Sequence, residues 1–408
     1  MSSATDLRQM FSSKSTTKNS FNQDISGWDV SSVTTFQEMF LNTSGRSDFN
    51  QPIGTWNTSS ATNMFGMFYG ANAFNQPINS WDVSRVTNFG SMFERNQTFN
   101  RPLNNWNTSS ANTFTSMFNG TTAFNQPIGS WDVSRANRFE SMFKDASAFN
   151  QNLSSWDTRS LTHAMNMFSG ATSAFNNGEV RIASSPGTSP LNWNMSAALF
   201  ITSMFQDNTR FNQSLDGWDL QRLDFSATDP TTMNNVFAGA TGFNNGDPQG
   251  ASGVMDWTLP LASANKKNML GLFQNASSFN QDLSTWDFWG QKNSQSMITG
   301  ATRFNQPIDF FRVATLMTGF SQPITFSGMS QANYEKSIIA WSYQPTQSSS
   351  NLSYMDLANR MRQFTTCLSN AAWTKLVTEN TIKFGVSNSL SGNNPGGCVD
   401  RTVTWSEA

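Results

Sequence analysis

The sequence predicts an α/β repeat, a leucine-rich-repeat-type solenoid whose coils of about 25 residues each supply a short parallel strand and a short helix. Three observations predict it. The pair Phe-Asn recurs at Phe21, Phe49, Phe74, Phe99, Phe124, Phe149, Phe175, Phe211, Phe243, Phe279 and Phe304, and the four intervals from Phe49 to Phe149 are each 25 residues. The words W-D-V-S and M-F recur between these markers, always in that order. Within each unit the apolar spacing changes from that of a strand to that of a helix. Such an array buries its faces between neighbouring coils and offers long surfaces in place of one deep pocket.

The elements follow in order through the unit Phe74 to Thr98. Ile78, Trp81 and Val83 read I-x-x-W-x-V, the spacing of the strand word in leucine-rich repeats. Trp81 and Val83 are two apart and share one face of a short strand. Val86, Phe89, Met92 and Phe93 follow at helical spacing, with Ser84 as a candidate N-cap. The return turn is Phe-Asn-Gln-Pro, where Pro77 fixes φ and removes a donor. One amide stands at the same place in each coil: Asn22, Asn50, Asn75, Asn100, Asn125 and Asn150 read as an internal asparagine ladder, bonding their own turn and the next coil.

A second period is superimposed. Trp81-Asp82-Val83-Ser84-Arg85 matches Trp131-Asp132-Val133-Ser134-Arg135, while Trp56-Asn57-Thr58-Ser59-Ser60 matches Trp106-Asn107-Thr108-Ser109-Ser110. The units alternate, as expected from duplication of a pair. The residue after Trp forms an outward column of Asp29, Asn57, Asp82, Asn107, Asp132 and Asp157, and mixing Asp with Asn lowers the repulsion of stacked carboxylates. This column is the first candidate contact surface. A calcium site there is the lesser reading, because isolated carboxylates lack a complete oxygen cage.

The period breaks at 177–190 and 245–256, two insertions that both begin Phe-Asn-Asn-Gly and are rich in Gly, Pro and Ser. Shorter insertions fall at 224–231 and 263–267. Loops that decorate one edge of a repeat array often carry binding, which makes Asn177, Gly178, Asn245 and Gly246 the second set of candidate contact residues. Residues 1–20 read as an N-terminal cap or partial repeat, 21–326 as about 11 coils, and 327–408 as a C-terminal capping region with helices near Tyr334–Trp341 and Met355–Leu368. Cys367 and Cys398 lie in that region and leave two readings open, a disulfide or two free thiols.

Of the 408 residues 13% are charged and the net charge is −2, which argues against a nucleic-acid partner. No apolar run is long enough to span a membrane, and no secretory signal is visible at the start of the chain. His163 is the only histidine and stands beside no nucleophile word; with two cysteines it cannot build a standard zinc site. No nucleophile elbow, phosphate loop or dinucleotide fingerprint occurs. The expectation is therefore a chain without catalytic residues, cofactor or metal. A carbohydrate-active enzyme using the recurring acids is the least favoured reading, since those acids recur in most units and mark no special place.

The words FNQPIxxWDVSxVTxFxxMF, nearly unbroken from Phe74 to Phe149, resemble the BspA-like leucine-rich repeats, also called the 26-residue bacterial surface protein repeat. The segment Ser330 to Trp341, reading SQANYEKSIIAW, is similar to a segment that often follows such repeats. The resemblance implies a surface-exposed solenoid used in adhesion or host contact, without catalytic residues, in bacteria, protists and some viruses. Two functional expectations follow. The first is recognition of a glycan or protein on a host or neighbouring cell surface. The second is a virion component, such as a tail, fibre or capsid decoration, that contacts other virion proteins. Both place the chain on an exterior surface.

Overall fold

The computed structural model describes residues 4–180, 182–225, 232–260, 267–286, 291–293, 296–308, 330, 332–333 and 336–337. Residues 332–333 and 336–337 are helical. The rest of the expected capping helices, together with Cys367 and Cys398, lies outside the described residues.

The repeat unit is built from successive tight turns, and its backbone donors point alternately in two directions. In the unit that begins at Phe74, the N–H groups of Phe89, Ser91, Phe93 and Arg95 donate to the carbonyls of Thr113, Thr115, Met117 and Asn119 in the next unit, at 2.7–3.1 Å. The intervening N–H groups of Met92, Glu94 and Asn96 donate three residues back, to Phe89, Ser91 and Phe93, at 2.9–3.2 Å. The following unit repeats this, with Phe114, Ser116, Phe118 and Gly120 donating onward to Arg138, Glu140, Met142 and Lys144. Parallel bridges join Asp6, Thr35, Asn63, Asn88, Thr113, Arg138, His163 and Phe200 in that order.

This corrects the expected helix over Val86 to Phe93. An α-helix needs each N–H to reach four residues back, whereas here every second one leaves the unit. Ser91 and Arg95 also have φ of 54° and 58°, which a right-handed helix cannot contain. Turns of three residues bring Val86, Phe89 and Met92 inward in succession, and that spacing imitates a helical stripe.

The expected strand at Trp81–Val83 is corrected in the same way. Trp81 and Val83 are buried and Asp82 is exposed, so the alternation of faces is present. The donors, however, stay within the unit: Trp81 N–H bonds Ile78, Ser84 N–H bonds the Asp82 carboxylate, and Val86 N–H bonds Val83. Among the described residues regular ladders occur only later, as β1 (Gly253–Val254) parallel to β3 (Gln281–Asp282), and β2 (Lys267–Asn268) parallel to β4 (Gln291–Asn293).

Aromatic columns run through the core. Phe68, Phe93, Phe118, Phe143, Phe168, Phe205, Phe237 and Phe273 stack with centroids 5.5–5.7 Å apart. The Phe of each Phe-Asn pair, from Phe49 to Phe304, forms a second column at 5.9–6.2 Å. The two columns touch where one unit passes into the next, as at Phe68–Phe74, 3.8 Å apart. Each such pair adds about 0.5–1.5 kcal/mol beyond the area it buries. A third column is tryptophan, whose polar edge needs a partner when buried. Trp81, Trp106, Trp131 and Trp156 donate their indole N–H to Ile53, Ile78, Leu103 and Ile128 of the unit before, at 3.0–3.1 Å.

The recurring asparagines are joined in one line. The side-chain oxygen of each accepts the backbone N–H of the next, from Asn22 through Asn50, Asn75, Asn100, Asn125, Asn150, Asn176, Asn212, Asn244 and Asn280 to Asn305, and from Asn305 to Ser330, at 2.6–3.1 Å. The neighbouring glutamines reinforce it: Gln76, Gln151 and Gln281 donate to the carbonyl and side-chain oxygen of Asn50, Asn125 and Asn244.

A further column alternates from unit to unit. Gly70, Arg95, Gly120, Asp145, Gly170, Asp207, Gly239, Asn275 and Gly300 succeed one another at the same place, all with positive φ. A Cβ on Gly170, Gly239 or Gly300 would lie 2.1–2.2 Å from the side-chain oxygen of Asp145, Asp207 or Asn275. At these three places the side chain of one unit occupies the space above the glycine of the next, whereas a Cβ on Gly120 would meet Arg95 only at an ordinary 3.8 Å.

Candidate functional site

The Asp/Asn column is exposed, but its primary partner is its own turn. The oxygens of Asp29, Asn57, Asp82, Asn107 and Asp132 accept the backbone N–H of Ser31, Ser59, Ser84, Ser109 and Ser134, at 3.0–3.2 Å. Asp and Asn supply the same acceptor, which is why they interchange. The Ser31, Ser84 and Ser134 hydroxyls, followed by their N–H groups, hold Asp29, Asp82 and Asp132 below the ordinary aspartate range. Asp157 is lowered chiefly by the Arg159 guanidinium, with which it pairs. The charge of Asp157 pushes Asp132 up only as a lesser influence than those hydroxyl and N–H bonds. Repulsion between stacked acids is thus secondary to turn formation.

The insertion residues require a correction. Asn177 and Asn245 are buried and their amides are committed. Asn177 accepts the Leu153 N–H at 2.8 Å and donates to Ser154 and to the Ser189 carbonyl, each at 2.7 Å. Asn245 accepts the Leu215 N–H at 2.9 Å and donates to Asp216 at 2.7 Å. Gly178 and Gly246 follow with φ of 90° and 85°, and both donate their N–H to the asparagine line, at Asn150 and Asn212. The shared Phe-Asn-Asn-Gly word is thus a launching turn, anchored on the unit before it.

Those residues bring the two insertions together, although they are separated in sequence by a complete unit. The Gly187 N–H donates to the Gly246 carbonyl at 2.6 Å, and the Gln249 N–H to the Ala183 carbonyl at 2.8 Å. Glu179 ties the first insertion to Thr188 and Gln213. Burial disfavours its charge, but hydrogen bonds from Thr188, Ser189 and Gln213 outweigh this and hold it below the ordinary glutamate range. On this joined platform stand Val180, Ile182 and Val254, which are 83%, 59% and 50% exposed. With Met10 they make up the exposed large hydrophobic side chains among the described residues. The composition of the insertions signalled loops; nothing local in the sequence signalled that they meet.

His163 is half-buried, bonds the Thr162 hydroxyl at 2.7 Å and tilts against Phe200. Burial lowers its pKa, with a smaller opposing effect from Glu140. It serves as one of the bridging residues. Among the described residues no group of three or more His, Cys, Asp or Glu gathers as a metal site, and no helix is long and apolar enough to cross a membrane.

No curated protein and no solved structure matches this chain. The family model described as "Mycoplasma protein of unknown function, DUF285" matches it over residues 1–97, 76–181, 187–311 and 225–341, four overlapping stretches that together cover most of the repeats. The chain belongs to that family.

Proposed function

We propose that this chain is a non-enzymatic recognition protein of an exterior surface, a BspA-like leucine-rich-repeat solenoid in which the regular units form a rigid support and the two joined insertions contact a protein partner. The unit-to-unit parallel hydrogen bonds and the through-running aromatic columns support the solenoid reading. The observation that carries the function is the placement of Val180, Ile182 and Val254. Exposing three large aliphatic side chains on a platform fixed at its backbone is unfavourable for an isolated protein and useful for one that docks. Burying them in an interface would contribute about 1.5–3 kcal/mol each.

The test is binding of the labelled full chain to a panel of cultured cells before and after protease treatment of the cell surface. Binding that protease abolishes, and that Val180→Ser, Ile182→Ser and Val254→Ser together reduce at least tenfold with unchanged circular dichroism, is the expected result. Equal binding by the triple variant removes the platform from the reading, and protease-resistant binding removes the protein partner.

A further inference from the structure

We infer a second binding site away from the insertions: a trough on the regular units, carrying Arg85 and Arg135, that takes a linear acidic polysaccharide with its charge on alternate sugars. The inference shares with the proposed function only the premise that the chain recognises rather than catalyses. The trough is shallow, about 690 Å³, and crosses successive units with Thr87, Ser110, Asn112 and Ser134 along it. The Thr87 N–H bonds the Thr62 carbonyl, Asn112 bonds Thr87, and Asn137 bonds Asn112, so these units are direct neighbours here.

The two guanidiniums are uncommitted, while the Ser134 hydroxyl donates to Asp132. Ion pairs among the described residues engage Arg8, Lys14, Lys18, Arg138 and Arg159, and neither Arg85 nor Arg135. Both are exposed, and the nearest acids in sequence, Asp82 and Asp132, are turned to their own Ser84 and Ser134. Among the described residues the Ser110 hydroxyl and the Asn112 amide have no intramolecular partner, whereas the Thr87 hydroxyl donates to Thr62 and keeps its acceptor capacity. The trough therefore presents two guanidiniums on either side of free hydroxyl and amide groups.

The spacing selects the ligand. Arg85 and Arg135 occupy the same place two units apart; the adjacent tryptophan rings advance 6.2–6.3 Å per unit and bridged backbones about 4.8 Å, so the two positions are about 10–12 Å apart. An extended pyranose chain advances by an interval of this order with each disaccharide. A carboxylate or sulfate on every second sugar then meets one guanidinium after another, each capable of two parallel hydrogen bonds, while the sugar between faces Ser110 and Asn112. Nucleic acid fits less well, because its affinity comes from many clustered cations and this chain carries a net charge of −2.

The test uses the full chain with hyaluronan, uncharged dextran and oligothymidylate, by affinity electrophoresis and titration at low and moderate salt. Hyaluronan is expected to bind and dextran not to, with affinity falling as salt rises. Arg85→Gln with Arg135→Gln should weaken binding at least about tenfold. Both residues are exposed, so the variant should fold, and circular dichroism checks this. Failure of hyaluronan to bind at low salt, equal binding by the double variant, or equally tight oligothymidylate binding overturns the inference. The outcome is separable from the proposed function: the Arg85/Arg135 variant should still bind cells, and the Val180/Ile182/Val254 variant should still bind hyaluronan.

Discussion

Removing one asparagine from the line should cost far more where the line is buried than where it is wet. Asn244 is fully buried. Its side-chain oxygen accepts the Asn280 N–H at 2.7 Å and the Gln281 amide at 3.0 Å, and its amide donates to the Pro248 and Ala251 carbonyls at 2.7 and 3.0 Å. Asn244→Ala strands the Asn280 N–H in a dry environment, at a cost of about 1–3 kcal/mol. The other three groups keep second partners: Gln281 also reaches Asp247 and the Asn244 carbonyl, Pro248 still accepts from Ala251, and Ala251 keeps a long contact from Gln281. Their weakening adds about 1 kcal/mol in all, for a total near 3 kcal/mol.

Asn125 provides the contrast. Its oxygen accepts the Asn150 N–H at 2.9 Å and the Gln151 amide at 2.8 Å, but it is exposed and water can replace it. Asn125→Ala should cost about 1 kcal/mol or less. Urea titrations followed by tryptophan fluorescence measure both, and the comparison is valid where the slope of the transition is unchanged between variants. An Asn244→Ala midpoint no lower than that of Asn125→Ala would refute the reasoning.

Three further outcomes are expected. Trp131→Phe removes the indole donor to the Leu103 carbonyl, which keeps the Trp106 N–H, and loses ring area from a stacked column, and should lower stability by about 2 kcal/mol in the same titration. Gly170→Ala should destabilise by about 1–3 kcal/mol because its Cβ meets Asp145; adding Asp145→Gly should recover part of that loss, and a double-mutant cycle with no coupling would exclude the contact. Asp132→Asn keeps the turn acceptor but not the charge. The lowered pKa of Asp132 contributes stability above the ordinary aspartate value and loses it as pH falls through its folded value. The variant should therefore be less stable than the parent near neutrality, and the difference should shrink on acidification as the parent loses the contribution of the charge, as read from melting temperatures across that range.

The asparagine and phenylalanine positions were legible because identical units force identical solutions: a residue repeated beside a core ring in every unit must have the same neighbour above and below. Asn75, bonded to the units on both sides, and Phe74, stacked on Phe49 and Phe99, are readable from recurrence alone. Secondary structure was less legible. Turns of three residues and a helix of 3.6 place apolar side chains at nearly the same intervals over a span as short as Val86 to Phe93, and only the positive φ of Ser91 and Arg95, invisible in an apolar pattern, separates them. At the insertions the sequence marked where the regular unit is left, but not how the asparagines there are used. Asn177 and Asn245 looked free because polar residues in loops usually are, yet each replaces a bond of the unit it leaves. The pairing of the two insertions depends on distant backbone contacts such as Gly187 with Gly246 and has no local signal.

The alternating glycine column bears on how such a gene can lengthen or shorten. Deleting the single unit that carries Gly170 would set Asp207 directly behind Asp145, where its Cβ would meet the Asp145 carboxylate as an alanine at 170 would. Deleting two adjacent units restores the order of side chain and gap. From Asp145 onward, recombination between copies is therefore expected to leave viable products chiefly when an even number of units is gained or lost, so that there the heritable module is the pair.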